Sequence, residues 1–281
     1  MRSKKPVFGA MVASLGLLAA STPANAQKAG QNTLTVGWFN IRTNSSSTAL
    51  STNVLPVPIN EPLGLPNSFT AEGTSLSTSN ADTLGMTFSH FFTDNIALMG
   101  IAGIPPRFKI SGHGELRPPG PAGALSSQNL GDPALNPIIA DSRQWSLASV
   151  AQYHFFEPTT KLRPFVGLGA SYNFFTNIEV NPAFARSVNE NMGATLAAAA
   201  GKPGPTSVEA DADPSWSPVF NIGATYNVSD SWALTASATY IPMTTTSIMR
   251  IRAADGTVLA VSKAKIKPKP VIFFAGATYK F

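Results

Sequence analysis

The chain has 281 residues, of which 43% are hydrophobic and only 12% charged, with no cysteine and a formal net charge of +5. Soluble domains average about 25% charged residues, so the composition argues against an ordinary soluble fold, and the missing cysteine excludes a disulfide framework and thiolate metal sites. The basic excess does not point to nucleic acid, because Arg2, Lys4 and Lys5 supply three of the basic residues from the targeting segment at the start of the chain.

That segment reads as a signal peptide. Val7 to Ala20 is apolar and rich in small residues, and Ala24-Asn25-Ala26 is a small-x-small cleavage site. The alternative, an anchoring helix, would need about 20 apolar residues. Residues 1–26 are therefore expected to be cleaved, leaving 27–281 as a single domain.

From there, runs of β-branched, aromatic and small residues alternate with turns. The first predicted strand is Thr33 to Arg42, with Leu34, Val36 and Trp38 on one face. The second is Asp82 to Phe92, and Thr93-Asp94-Asn95 turns the chain into a third from Ile96 to about Ile110. The fourth runs from about Arg143 to Phe156 and the fifth from Arg163 to about Ile178, joined by Glu157-Pro158-Thr159-Thr160. Trp216 to Val228, a strand beginning at Trp232, and Val271 to Phe281 bring the number to about eight.

Long segments follow the first, third and fifth strands, at about 43–81, 111–142 and 179–215. They are rich in Pro, Gly, Ser and Asn, which suits ordered loops and disorder alike. Within them Met192 to Ala200 can form a short helix stopped by Gly201 and Pro203. The connection around Ala254-Asp255-Gly256-Thr257 is short, between strands that extend far.

The last strand carries Val271, Phe273, Ala275, Ala277, Tyr279 and Phe281 on one face. About ten residues suffice for a tilted strand to cross an outer membrane. No apolar run after the leader is long enough for a spanning helix, and lipid offers unpaired backbone groups no partner. The expected fold is therefore all-β: an eight-stranded antiparallel transmembrane β-barrel with short periplasmic turns and long extracellular loops, placed in the outer membrane. Tyr153, Phe155, Tyr226, Trp232, Tyr279 and Phe281 fall near the short-turn ends, as an interfacial girdle would.

The same parity turns Met99, Ile101, Ile241, Met243, Ile272 and Phe274 inward, where a water-filled porin would carry charges. Such residues can line an apolar channel or merely fill a narrow barrel. Lys263, Lys265, Lys267 and Lys269 share one face of the approach to the last strand. They can meet lipopolysaccharide phosphates or simply solvate a strand extension. The histidines, His90, His113 and His154, lie on separate strands without metal-ligand spacing, and Ser89 faces away from His90, so no catalytic or cofactor-binding set is expected.

Several segments resemble the OmpW family of small outer-membrane barrels: Phe92-Thr93-Asp94-Asn95-Ile96, Pro105-Pro106-Arg107-Phe108-Lys109-Ile110, Ala151-Gln152-Tyr153-His154-Phe155, Lys161-Leu162-Arg163-Pro164-Phe165-Val166-Gly167, Asn221-Ile222-Gly223-Ala224-Thr225-Tyr226 and the stretch from Pro270 to Phe281, in that order. The resemblance implies a narrow, largely apolar lumen passing small hydrophobic molecules, with release sideways into the membrane. It aligns Ile101 and Trp216 with a gate, beside Met99, and makes Tyr279 and Phe281 a signal for the outer-membrane assembly machinery. The implied partners are outer-membrane lipids and small hydrophobic ligands, with neither a cofactor nor a nucleic acid. The alternative is a closed structural or adhesive barrel whose loops bind lipopolysaccharide or surface partners.

Overall fold

The computed structural model describes residues 27–281; the expected leader, residues 1–26, lies outside them. Alternation of apolar and small or polar residues produces eight strands: β1 (Asn32–Arg42), β2 (Ala81–Phe91), β3 (Ile96–Gly103), β4 (Ile139–His154), β5 (Leu162–Val180), β6 (Ser215–Asn227), β7 (Trp232–Tyr240) and β8 (Val271–Lys280). Each pairs antiparallel with its chain neighbours. β8 closes onto β1, in register from Thr33 opposite Lys280 to Arg42 opposite Val271. The eight strands therefore have no free edge, which a sheet in lipid requires.

The outward parity is apolar. Val36, Leu84, Leu147, Leu168, Ile222, Leu234 and Phe273 are all exposed on the outer wall. The periplasmic girdle expected from the sequence is present: Tyr153 sits edge-on to Phe155, and Trp232 and Phe281 flank Tyr279. A second girdle circles the opposite end, with Trp38, Trp145, Tyr172, Phe174 and Tyr240 on the outer face.

The turns at residues 92–95, 155–161 and 228–231 are short. The other connections are long and ordered, forming a cap over the barrel. Its six-stranded sheet runs Ser207–Ala212, Thr245–Arg252, Val258–Lys267, Leu50–Val54, Ser68–Ala71, with Ser46–Ser47 also on Val258–Lys267. The fourth connection thus departs from the expected extension of β7 and β8: a hairpin leaves the barrel and joins the cap. Leu50, Phe184, Val188, Ile251, Leu259 and Ile266 are among the residues of a core separate from the barrel interior.

The cap helix starts earlier than the sequence suggested. Asn181 accepts a hydrogen bond from the Ala183 amide at 2.9 Å, with Pro182 in the first turn. The helix runs Pro182–Val188, widens to a π turn at Asn189–Gly193 and resumes as Ala194–Ala199 before the left-handed Gly201. Its buried residues, Phe184, Val188, Met192 and Ala197, are spaced four, four and five apart. The π turn absorbs the extra residue and keeps one face on the core.

Candidate functional site

The barrel interior changes character along its axis. In the periplasmic half the inward residues of β1, β6, β7 and β8 are threonines in one hydrogen-bonded row. Thr35 meets Thr278 at 2.9 Å, Thr278 meets Thr235 at 2.6 Å and Thr235 meets Thr225 at 3.2 Å. Gln152 donates to Asn221 at 2.8 Å, and Asn221 to Thr239 at 2.9 Å. His154 lies between Phe91 and Phe165.

At the bottom, the fully buried Arg163 donates to four carbonyls: Gln27 at 2.8 Å, Asp94 at 2.6 Å, Phe156 at 3.2 Å and Phe155 at 3.4 Å. It ties the start of the described chain to two periplasmic turns. Phe156 has the positive φ of 64° that β-strand exits rarely allow a non-glycine residue. Only about 30 Å³ of space remains in this half, room for a water molecule or two. The sequence reading of a largely apolar lumen is therefore corrected here: this half is polar and filled.

Above this floor Phe39 stacks on Phe274, centroids 4.3 Å apart. A Cβ on Gly85 would come within 2.6 Å of the Phe39 ring, so the glycine makes room for it. Phe39 borders both the small void below and a cavity of about 230 Å³ above. Ile41, Ile101, Ile241 and Ile272 supply the inner wall of that upper cavity.

Its other wall is incomplete. β3 and β4 pair from Tyr153–Ile96 to Ala148–Ile101, and pairing resumes only at Arg143–Arg107, where the strand Arg107–His113 takes over. Between these points residues 144–147 face 102–106 across a break. Pro105 and Pro106 have no amide proton to donate. The Gln144 amide reaches the Pro106 carbonyl at 3.1 Å, and Ile104 is satisfied from the β2 side through Leu84 and Thr83. The ladder thus fails on one side of β3 only. Ile104, Pro105, Pro106, Trp145 and Leu147 line the same cavity as the inward isoleucines, and both Ile104 and Leu147 are exposed on the outer wall. The cavity therefore passes through the wall at membrane level.

Two further voids of about 30 Å³ each continue upward. One, at the junction of barrel and cap, shares Phe108, Gln144 and Pro268 with the larger cavity; the next shares Ile139 and Ser247 with the junction. Met243 and Gln144 stand at the junction, the Gln144 amide 3.7 Å from the Met243 sulfur.

The sequence-derived site residues separate. Met99 and Ile101 face inward, with Met99 buried against Val150 and Val219. Trp216 does not join them. It is 74% exposed on the outer face and sits 5.1 Å from the outward Tyr172. The ladder through Ala170–Pro218 and Tyr172–Trp216 is continuous, so Pro218 hosts no bulge that would turn Trp216 inward. Trp216 belongs to the upper girdle, as an amphipathic ring at a membrane interface does. Tyr279 and Phe281 lie in the lower girdle. Lys263, Lys265, Lys267 and Lys269 are all exposed at the rim, beyond β8. Ser89 is buried inside the barrel while His90 bonds to Asn32 at 2.9 Å, on opposite faces as expected. Phe274 faces inward as expected, whereas Phe39, Arg163 and Gln144 were missed as site residues. The only signal was Pro105-Pro106 inside a strand-like run, which marks a break.

A family model described as the OmpW family matches residues 51–281. Outer membrane protein W of Vibrio cholerae is 28% identical over 206 residues, covering 73% of this chain and 76% of that protein. Outer membrane protein AlkL of Ectopseudomonas oleovorans is 25% identical over 207 residues, covering 73% and 69%. In three dimensions the barrel resembles the outer membrane protein OprG of Pseudomonas aeruginosa, with a TM-score of 0.65 at 17% identity, over 91% of this chain and 98% of that one.

Proposed function

Because this chain belongs to the OmpW family of outer-membrane proteins, we propose that it passes small apolar or amphipathic molecules from the cap into the bilayer through the break between β3 and β4. The observation that carries the reading is the 230 Å³ cavity that joins the barrel interior to the outer wall beside Pro105 and Pro106. A cavity of about 150 Å³ already holds a benzene-sized molecule, so the volume suits a single ring or a short alkyl chain. No reaction is involved. An apolar solute moves down its own partition gradient, and the isoleucine wall spares it contact with water.

Phe39 and Phe274 form the floor that directs cargo sideways, and Ile101 stands in the cavity wall. Travel along the barrel axis is opposed by the hydrogen-bonded threonine row and by Arg163. The apolar voids at the junction and in the cap mark the path from outside, which widens when Met243 and Gln144 part. A closed barrel with an adhesive cap is the second reading, favoured by the filled lower half and the cap's own core.

The two readings separate in one variant. Replacing Pro105 and Pro106 by Val and Thr returns two amide donors to the seam. Amide exchange at residues 144–147 should slow as it closes. Uptake of a small apolar fluorophore by cells carrying the variant is then expected to fall to near the level of cells lacking the protein. Unchanged uptake through a closed seam would refute the portal.

A further inference from the structure

The cap strand above β8 and β1 carries lysines that no acid directly across its ladder offsets. In the cap strand Val258–Lys267, Ala264 and Ile266 are 3% and 2% exposed and face the cap core. The alternate residues Lys263, Lys265 and Lys267 must therefore point outward, and all three are exposed. Across the ladder they face Ile248, Thr246 and Ser46, and Lys263 also faces Ser51. On the outermost strand of this face Glu209 is paired to Arg252 at 2.7 Å and Asp211 to Arg250 at 3.7 Å. Asp213, level with Thr246, stands two strands away from Lys265, roughly 10 Å at the usual strand spacing. Among the described residues, none of the ion pairs includes these lysines.

Lys269 continues the stripe between Pro268 and Pro270, with the left-handed φ of 45°. Glycine or asparagine is the ordinary occupant of that conformation, and a cation is kept there instead. Arg42 is exposed on the adjoining strand, opposite Val271 and so close to Lys269 in height.

The height of the stripe fixes its surroundings. Trp38 donates from its indole nitrogen to Asp82 at 3.0 Å, which marks the outer interface on β1. Arg42 lies four residues further along, roughly 13 Å of strand and about 10 Å above the interface after tilt. From Lys269 to Lys263 the chain climbs on the order of 20 Å more. We infer that this stripe binds the phosphorylated glycolipid of the outer leaflet, lipopolysaccharide, with Lys269, Lys267 and Arg42 at its lipid-level phosphates and Lys265 and Lys263 against phosphates of its inner sugars. A glycerophospholipid headgroup would reach only the bottom of such a ladder. Ammonium groups there replace the divalent cations that otherwise bridge neighbouring phosphates.

The test is equilibrium binding of bisphosphoryl lipopolysaccharide to the detergent-purified full barrel, with the dephosphorylated glycolipid and phosphatidylglycerol as comparisons. Each basic residue near an anionic surface raises affinity roughly fivefold. The quadruple variant K263S/K265S/K267S/K269S should therefore lose roughly six-hundredfold, and the milder K265Q/K267Q about twenty-five-fold. Binding by the parent should weaken with added salt, and the all-arginine variant should restore it. Folding of each variant is read from the heat-dependent shift in gel mobility that folded barrels show. Should the quadruple variant misfold, the double variant carries the test. Variants within threefold of the parent, equal binding of the dephosphorylated lipid, or equal binding of phosphatidylglycerol would overturn the inference.

Discussion

Below the Phe39–Phe274 stack, the barrel interior is filled by hydrogen-bonded Thr, Gln, Asn and Arg side chains packed around Phe91, His154 and Phe165. Above it, four isoleucines surround open space, and the wall beside them is broken. The contrast follows from what each kind of residue requires. A buried hydroxyl or amide without a partner costs free energy, so a polar interior must close up until its groups are satisfied. An apolar surface has no such requirement and can border an empty cavity. The break in the β3–β4 ladder sits beside the apolar half, where two of the residues at the seam are prolines with no donor to lose. A filled end and a flank with an interrupted ladder thus arise in one eight-stranded sheet.

The largest effect should come from the floor. Arg163 serves carbonyls in three segments, and Arg163→Met would remove every one of these bonds, leaving the buried Gln27 carbonyl without its guanidinium donor. A loss of about 3 kcal/mol or more is expected in urea unfolding of the refolded protein in detergent, together with ion leakage in planar bilayers, where the parent should pass no steady current. Gln144→Leu, in the upper half, removes one hydrogen bond to Ser146 at 3.1 Å and a weak contact to Met243 and should cost about 1 kcal/mol. Equal losses at the two positions would erase the distinction between the halves.

The strands and their facing could be read from the sequence because alternation at period two is the property the barrel itself demands. Leu34, Val36 and Trp38 look outward and Met99 inward for the same reason. The short turns could be read from Asp, Asn and Pro. What alternation does not encode is where pairing stops. The run from Ile96 to Ile110 keeps a strand's composition across Pro105-Pro106, and only the partner strand reveals that the ladder fails there. The cap was hidden for a different reason. Its strands are two to ten residues long and pair across loops distant in sequence, such as Thr52 with Ser262, and no local pattern carries that information. Arg163 reads locally as a charged residue at a strand end, and its burial depends on three segments meeting around it.

Trp216 tests the contrast between wall and interior. On the outer face, tilted against Tyr172, it contributes aromatic packing and interfacial anchoring. Trp216→Ala should lower stability by about 1 kcal/mol and leave uptake of apolar solutes within experimental scatter. Ile101→Trp, inside the portal cavity, should block uptake while the barrel still folds. If Trp216→Ala proves the more harmful to transport, the portal is misplaced.

The smallest effect concerns the cap, far above both halves. Lys202, just after the cap helix, is ion-paired to Asp255 in the hairpin turn, and the Thr257 amide also donates to Asp255 at 2.9 Å. The hydrogen bond from Lys202, followed by those from Thr257, holds the Asp255 carboxyl below the ordinary carboxylate range. A carboxylate with a depressed pKa in the folded state stabilises that state above its unfolded pKa, near 3.8, and loses the contribution as pH falls through the folded value. The tie between helix and hairpin should therefore be constant from neutral pH down to about pH 5 and loosen only in stronger acid. Because both groups are exposed, the loosening should be slight and easily screened by salt. Amide exchange at residues 253–257, followed between pH 7 and pH 3 and corrected for intrinsic rates, reads it directly. Protection should drop only at the acid end in the parent and show no such step in Asp255→Asn. Meanwhile the portal strands, which share no group with this pair, should exchange alike in both proteins.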